Sequence, residues 1–189
     1  MSTKRNNLPA GLVDKNLEIF ADGNNLKATY EGKVVDFFDL PKDIIEVFYN
    51  KMTQNPQAIT AMRTAGFTIM QEMLWQYVWC NFGGFDNSPD YTSESQELIH
   101  EYWNCGKRES CPFNCKVCGR LKTESGEYLT KQEITILKLI ASGMYDMELA
   151  DALNISEGTI IAHKANIFRK IGAHSKVDCA VFAMQNNLL

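Results

Sequence analysis

Four cysteines fall within fourteen residues: Cys105, Cys111, Cys115 and Cys118, inside NCGKRESCPFNCKVCGR. Thiolates are soft ligands, and four of them suit a tetrahedral zinc ion or an iron–sulfur cluster. The spacing x5, x3, x2 lets them close on one centre only if the chain bends back on itself. Gly106, Pro112, Asn114 and Gly119 supply the bends. Cys115-Lys-Val-Cys118-Gly119 has the form of a zinc knuckle, with a glycine that lets backbone amides approach the sulfurs. Lys107, Arg108, Lys116 and Arg120 flank the thiols, which predicts lowered thiol pKa values and an offset to thiolate charge. Cys80, beside Trp75, Tyr77 and Trp79, is an alternative ligand, and one of the other four then stays free. His100 is a weaker candidate. Neither common ferredoxin spacing is present, so zinc is expected ahead of an iron–sulfur cluster, with unligated thiols as the remaining reading. Cys179 reads as a small core residue.

A second set of chemistry-bearing residues lies near the C-terminus. Between 157 and 176, Lys164, Arg169, Lys170 and Lys176 face Glu157 alone. Such a run suits phosphate contact. The chain as a whole has 189 residues and a formal net charge of -4. That total taken alone argues against nucleic acid, but its distribution does not. Residues 1–100 hold eight basic and thirteen acidic side chains, whereas the groove-sized segment is locally cationic.

The elements that must position these residues differ between the two halves. Residues 1–11 are polar and expected to be mobile. LEIF, LKATY and KVVDFF read as short strands joined at Asp22-Gly23 and Glu31-Gly32. A helix opens with Pro41 as its first residue and runs to about 52. A second runs from near Pro56 to about Cys80, weakened by Gly66 and stopped by Gly83-Gly84. A loop and a short helix over about 95–103 precede the cysteine segment, 104–119. The polar stretch RLKTESGE reads as a linker, placing the boundary at about 121–127, with domains at 1–120 and 121–189. Four short helices follow. Thr130 with Glu133 forms a capping box for the first, whose inward face is Ile134, Leu137, Ile140 and Ala141. The second covers about 146–153, with Leu149, Ala150 and Leu153 inward. Ser156 caps the third, about 157–171, with Ile160, Ile167 and Ile171 inward and Gly172 as its stop. The last covers about 176–186, with Ala180, Val181 and Met184 inward. The fold class is α+β: a small strand-plus-helix front domain with a Cys-rich segment, then an all-α helix-turn-helix domain.

The sequence LTKQEITILKLIASGMYDMELADALNISEGTIIAHKANIFRKIGAHSK resembles the LuxR-type (GerE-type) DNA-binding domain over about 127–188. Its matching elements include Leu129-Thr130…Glu133, Leu139-Ile140-Ala141-x-Gly143, Glu148-Leu149-Ala150, Leu153-x-Ile155-Ser156 and His163-x-x-Asn166-Ile167-x-x-Lys170-Ile171-Gly172. The resemblance implies that the helix 157–171 enters the major groove. It puts Ile161, Ala162 and Ala165 on the groove-facing stripe. Thr159, His163, Lys164, Arg169, Lys170 and Lys176 become candidates for phosphate contact. The chain departs from the family at Gln132, Tyr145, Met147 and Ile161, where basic or small polar residues are usual. Ile161 is suited to a thymine methyl.

No P-loop, dinucleotide glycine pattern, His-Glu metal motif or nucleophile elbow is present, and no enzyme is expected. Residues 1–104 lack the alternating βα pattern of a phosphoacceptor domain. Asp36, Asp39 and Asp43 read as a solvated face, and Trp75–Trp79 as core or a dimer face. No segment has the apolar length of a spanning helix, and MSTKRNNLPAGLVDKN lacks the apolar core of a secretory signal, so a cytoplasmic location is expected. The expected function is a DNA-binding transcription regulator with a zinc or iron–sulfur centre that is structural or redox-sensing. Its partners would be double-stranded DNA, a second copy of the chain, RNA polymerase, and no membrane. The alternative is an interaction or dimerisation protein that modulates another regulator. A third reading is a redox enzyme using Cys115 and Cys118.

Overall fold

The computed structural model describes residues 8–86, 88–100, 102–108, 110–186 and 188–189. The expectation for residues 1–7 lies outside them. The chain divides into two compact units at Gly119 and Arg120. No helix among the described residues is long and apolar enough to cross a membrane.

In the front unit, β1 (Glu18–Asp22), β2 (Asn25–Tyr30) and β3 (Lys33–Asp36) form an antiparallel meander. Glu31 and Gly32 both have positive φ, 47° and 77°, the pair that a two-residue hairpin with native twist requires. One face of the sheet buries Ile19, Leu26 and Ala28. The other is not solvated. Glu18 and Thr29 are cross-strand partners and both are buried. The Glu18 carboxylate accepts from the Asp86 N–H at 2.7 Å. The Thr29 hydroxyl donates to the Ala10 carbonyl, and the Gly32 N–H donates to Gly11 O at 2.8 Å. Residues 10–11, expected to be mobile, are thus tied to the sheet.

Helices α1 (Lys42–Thr53), α2 (Pro56–Thr64) and α3 (Met70–Phe82) cover the apolar face. Pro41 caps α1 and is not its first residue; its carbonyl accepts from the Ile44 and Ile45 N–H groups. The single helix expected over 56–80 is two. Gly66 takes φ +97°, its N–H donates to Arg63 O at 2.9 Å, and the Phe67 N–H donates to Met62 O at 3.1 Å. That pair of bonds is a Schellman termination, which the continuous apolar period concealed. Open space surrounds the position where a Cβ would stand. Gly66→Ala should therefore act through the backbone alone and cost about 1 kcal/mol. A urea midpoint followed by tryptophan emission checks this, and an unchanged midpoint would refute it.

Among the described residues of 95–103 no helix forms where one is expected. Tyr91–Thr92 (β4) pairs with Glu97–Leu98 (β5), and Gln96 carries the turn at φ +55°. Tyr91 is buried and accepts the Leu17 N–H on its carbonyl at 3.0 Å, so the hairpin extends the sheet side of the unit.

The back unit opens with the expected linker folded as a hairpin. Lys122 and Tyr128 form a β-bridge, and the Leu129 N–H donates to Leu121 O at 2.9 Å. Then come α4 (Lys131–Ala141), α5 (Asp146–Leu153), α6 (Glu157–Ile171) and α7 (Lys176–Gln185). Thr130 Oγ1 accepts from the Glu133 N–H at 3.2 Å while Glu133 accepts from the Thr130 N–H at 2.8 Å. The inward face of α4 is Ile136, Leu137 and Ile140, so Ile136 replaces the expected Ile134. In α7 the buried residues are Cys179 and Ala183, whereas Val181 and Met184 are exposed. This phase differs from the expected one because α7 packs closely on α4, and small side chains permit that approach.

Candidate nucleic-acid interface

Helix α5, a tight turn and α6 form a helix-turn-helix. The turn is made by Asn154, which takes the left-handed conformation (φ 52°), and the Ile155 N–H reaches back to Ala150 O at 3.0 Å. Asparagine tolerates that conformation better than most residues. Ser156 then caps α6 by accepting from the Thr159 N–H at 3.2 Å. Thr159 is engaged in the same cap, with its hydroxyl 2.9 Å from Ser156 Oγ. Gly172, at φ +67°, ends the helix.

Ile160 and Ile167 anchor α6 inward. The opposite face is open. Ile161, Ala162, Ala165 and Arg169 are exposed along it, and His163 is half-buried. Ile161 is 57% exposed, and nearby in sequence Tyr145 and Met147 are 71% and 62% exposed. The stripe is thus presented on a regular helix, with large apolar side chains in water.

The predicted cations are each held by a partner within the unit. Lys164 Nζ contacts both oxygens of Asp146, the longer at 2.8 Å. Arg169 makes a forked contact with Glu127, with Nη2 to Oε2 at 3.0 Å. Lys170 Nζ donates to Glu133 at 2.7 Å and to Tyr128 O at 3.1 Å. Lys176 Nζ donates to Met144 O at 2.8 Å and lies 4.6 Å from the centre of the Tyr145 ring. Sequence reading found the cations but not Asp146 or Glu127 as their partners, because those partners lie 18 and 42 residues away. The Lys170–Glu133 pair differs from the others in depth: its side chains are 14% and 7% exposed. Burial raises the Glu133 pKa, but the Lys170 ammonium and the Thr130 donors outweigh it and hold the carboxyl below its ordinary range. Arg169 likewise lowers exposed Glu127.

The cysteines of the front unit are all free thiols. Cys80 and Cys118 are buried, and Cys105, Cys111 and Cys115 are half-buried. The sulfurs of Cys115 and Cys118 lie 3.4 and 3.9 Å from the Asn114 side-chain oxygen. Among the described residues, no group of three or more His, Cys, Asp or Glu side chains is already arranged to hold a metal ion. The flanking cations do not lower Cys118 as expected. Burial pushes Cys80 up to about 12, and it also raises Cys118 against the pull of Arg108. His100 is a packing residue: it bonds the Asn81 side chain, packs edge-on to Phe82 and fills the space a Cβ at Gly119 would take. Burial lowers its pKa.

Comparison with known proteins agrees with this geometry. The GerE family, bacterial regulatory proteins of the luxR type, matches residues 127–183. The Fimbriae Z protein of Salmonella typhimurium is 46% identical over 61 residues, which cover 32% of this chain and 29% of that protein. The response regulator protein VraR of Staphylococcus saprophyticus is 31% identical over 99 residues, 51% of this chain and 47% of that one. The transcriptional regulatory protein YdfI of Bacillus subtilis is 35% identical over 71 residues, 37% of this chain and 33% of that one. The chain spans less than half the length of these curated relatives. The matched region begins at the end of the hairpin and runs through helices α4 to α7 up to residue 183, and residues 127–183 are a domain of the luxR family of bacterial regulatory proteins.

Proposed function

We propose that the back unit binds duplex DNA with α6 in the major groove, and that the chain regulates transcription. The observation that carries this is the capped α5–turn–α6 unit, with its outward stripe of Ile161, Ala162, Ala165 and Arg169. A helix of this kind fits the groove in which base edges are distinguishable. The relatives' names, response regulator and transcriptional regulatory protein, point the same way. Thr159, His163, Lys164, Arg169 and Lys176 then approach phosphates, with Lys164 and Arg169 exchanging Asp146 and Glu127 for them. Lys170, turned inward to Glu133, supports the helix from behind. A homodimer is supported by the uncovered stripe Val177, Val181 and Met184 on α7, which recurs at helical spacing.

Fluorescence anisotropy of the full chain on a random duplex library tests the proposal. Binding should be detectable at low salt and fall linearly on a log–log plot as salt rises. Arg169→Gln should weaken all sequences alike, by about threefold or more, through one lost phosphate contact. Ile161→Ala should instead shift preference at a single base step. No binding at low salt, or identical behaviour of the two variants, would count against DNA recognition. One observation favours the alternative of a protein-interaction module. The exposed side chains Tyr145, Met147 and Ile161 are apolar where a DNA-facing surface is ordinarily cationic. In that case binding would survive a polyanion competitor and require a protein partner.

A further inference from the structure

Residues 113–118 form a tight turn that carries two cysteines. The Lys116 and Val117 N–H groups both donate to Phe113 O, at 3.0 and 2.9 Å. Cys115 has a φ of 60°, a left-handed conformation uncommon for residues other than glycine and asparagine. The chain reverses, and the Cys118 thiol reaches back to donate to Phe113 O at 3.5 Å. The Asn114 side-chain oxygen faces both sulfurs, Cys115 at 3.4 Å and Cys118 at 3.9 Å. That amide is anchored, because its Nδ2 donates to Arg108 O at 2.9 Å. The turn is anchored as well, because the Asn81 side chain on α3 donates to Val117 O at 3.1 Å. Two thiols three residues apart thus converge on one fixed atom. The Cys80 sulfur is engaged elsewhere, accepting from Gln76 Nε2 at 3.1 Å.

The two thiols differ in access. Cys115 is half-buried at the bend, whereas Cys118 is 8% exposed and packs with Phe113 and Val117 in the core of the unit. A reagent in solution therefore meets Cys115 first. The contacts that hold each sulfur to oxygen are weak, because a thiol is a poor donor. Giving them up costs little, since Phe113 O keeps its two backbone donors.

We propose that Cys115 and Cys118 are a modification site: a dithiol that small-molecule disulfides oxidise, reversibly, to one bridge within the turn. The Cys115 thiolate attacks a sulfur of the small disulfide, forms a mixed disulfide and expels one thiolate. The Cys118 thiolate then attacks the Cys115 sulfur and expels the second. The protein loses two electrons and two thiol protons. The small disulfide gains both electrons, and the two released thiolates take up two protons from water. A ring closed over two residues removes little entropy from the unfolded chain, so the bridge opens readily when small thiols are in excess. The reaction is stoichiometric and turns over no substrate. This inference stands on the front unit alone and does not depend on DNA binding by the back unit.

The test equilibrates the reduced full chain with graded ratios of reduced and oxidised glutathione, alkylates the remaining thiols and maps the peptides by mass. The wild type should lose two of its six thiols and regain them in excess reduced glutathione. Cleavage after Lys116 separates Cys115 from Cys118, so the bridge appears as two joined peptides. Cys111→Ser should keep the bridge, and Cys115→Ser should abolish it. Cys118→Ser should halt at the mixed disulfide, with one glutathione on Cys115 and no bridge. Cys115 is half-buried, so its variant gives a readout should the buried Cys118→Ser fail to fold. Six alkylatable thiols at the most oxidising ratio would overturn the proposal, as would a bridge that survives in Cys115→Ser or disappears in Cys111→Ser. Thiols that resist glutathione until a chelator removes stoichiometric zinc would overturn it as well.

Discussion

Glu133→Ala should destabilise the back unit by about 4–6 kcal/mol, enough to bring a marginally stable domain to its unfolding midpoint. The substitution removes two things together. It deletes the reciprocal half of the capping box at Thr130, and it strands the Lys170 ammonium, 14% exposed, without its carboxylate. Breaking a buried pair from one side costs about 3–5 kcal/mol, and a cap adds about 1 kcal/mol. Whole domains are stable by only about 5–15 kcal/mol. Far-UV circular dichroism should show the loss, because this unit is mostly helical. The double variant Glu133→Leu with Lys170→Met should recover much of the stability, since no charge is then left buried. A single variant as stable as the double would remove the ion pair from the account. The same pair sets a pH dependence. The folded-state pKa of Glu133 lies below its unfolded value. Its contribution is therefore fully present above the unfolded carboxyl value, about 4.3, and is lost as pH falls through the folded value. Acid titration of the wild type should show back-unit melting there, and Glu133→Gln should flatten that part of the curve.

Phe48→Ala should have the largest effect on the front unit. Phe48 is fully buried between Phe37 and Phe82, with edge-on contacts at 5.4 and 5.3 Å between ring centres. These three rings join the turn after β3 to α1 and to the end of α3. Removing the middle ring deletes buried apolar area and leaves a cavity that its rigid neighbours cannot fill. The cost is about 3–5 kcal/mol, and Phe48→Leu should cost less. All three tryptophans, Trp75, Trp79 and Trp103, belong to this unit, so their emission reads it selectively. A Phe48→Ala denaturation midpoint near the wild type would show that the cluster is not the keystone of the core.

The two halves were not equally legible in the sequence. The helices of the back unit could be bounded from residues alone because their signals are local. Thr130 and Glu133, Ser156 and Gly172 each act within about a turn of their own position. The inward face of α7 is not legible locally because neighbours far along the chain choose it. The front unit broke the pattern where one residue outvoted its surroundings. Gly66 interrupted a continuous apolar period, and Gln96 made a hairpin turn without any glycine signal. Burial of Glu18 and Thr29 on the second sheet face depended on residues 10–11 folding over it, which no periodicity announces. At the candidate interface the cations were readable and their partners were not.

The paired cations of the back unit make its outer surface a solid-phase ion exchanger. Lys164 and Arg169 already carry carboxylates, Asp146 and Glu127, as bound counter-ions. A phosphate backbone arriving there swaps one tethered anion for another. The displaced carboxylates stay on the protein and recruit cations from the solution, where an unpaired lysine would have set an anion free. Part of the entropy that ordinarily drives such association is thereby withheld. If this surface meets DNA as proposed, its affinity is governed by how firmly its own acids hold on, so one aspartate and one glutamate, more than the count of its lysines, set the threshold for engagement.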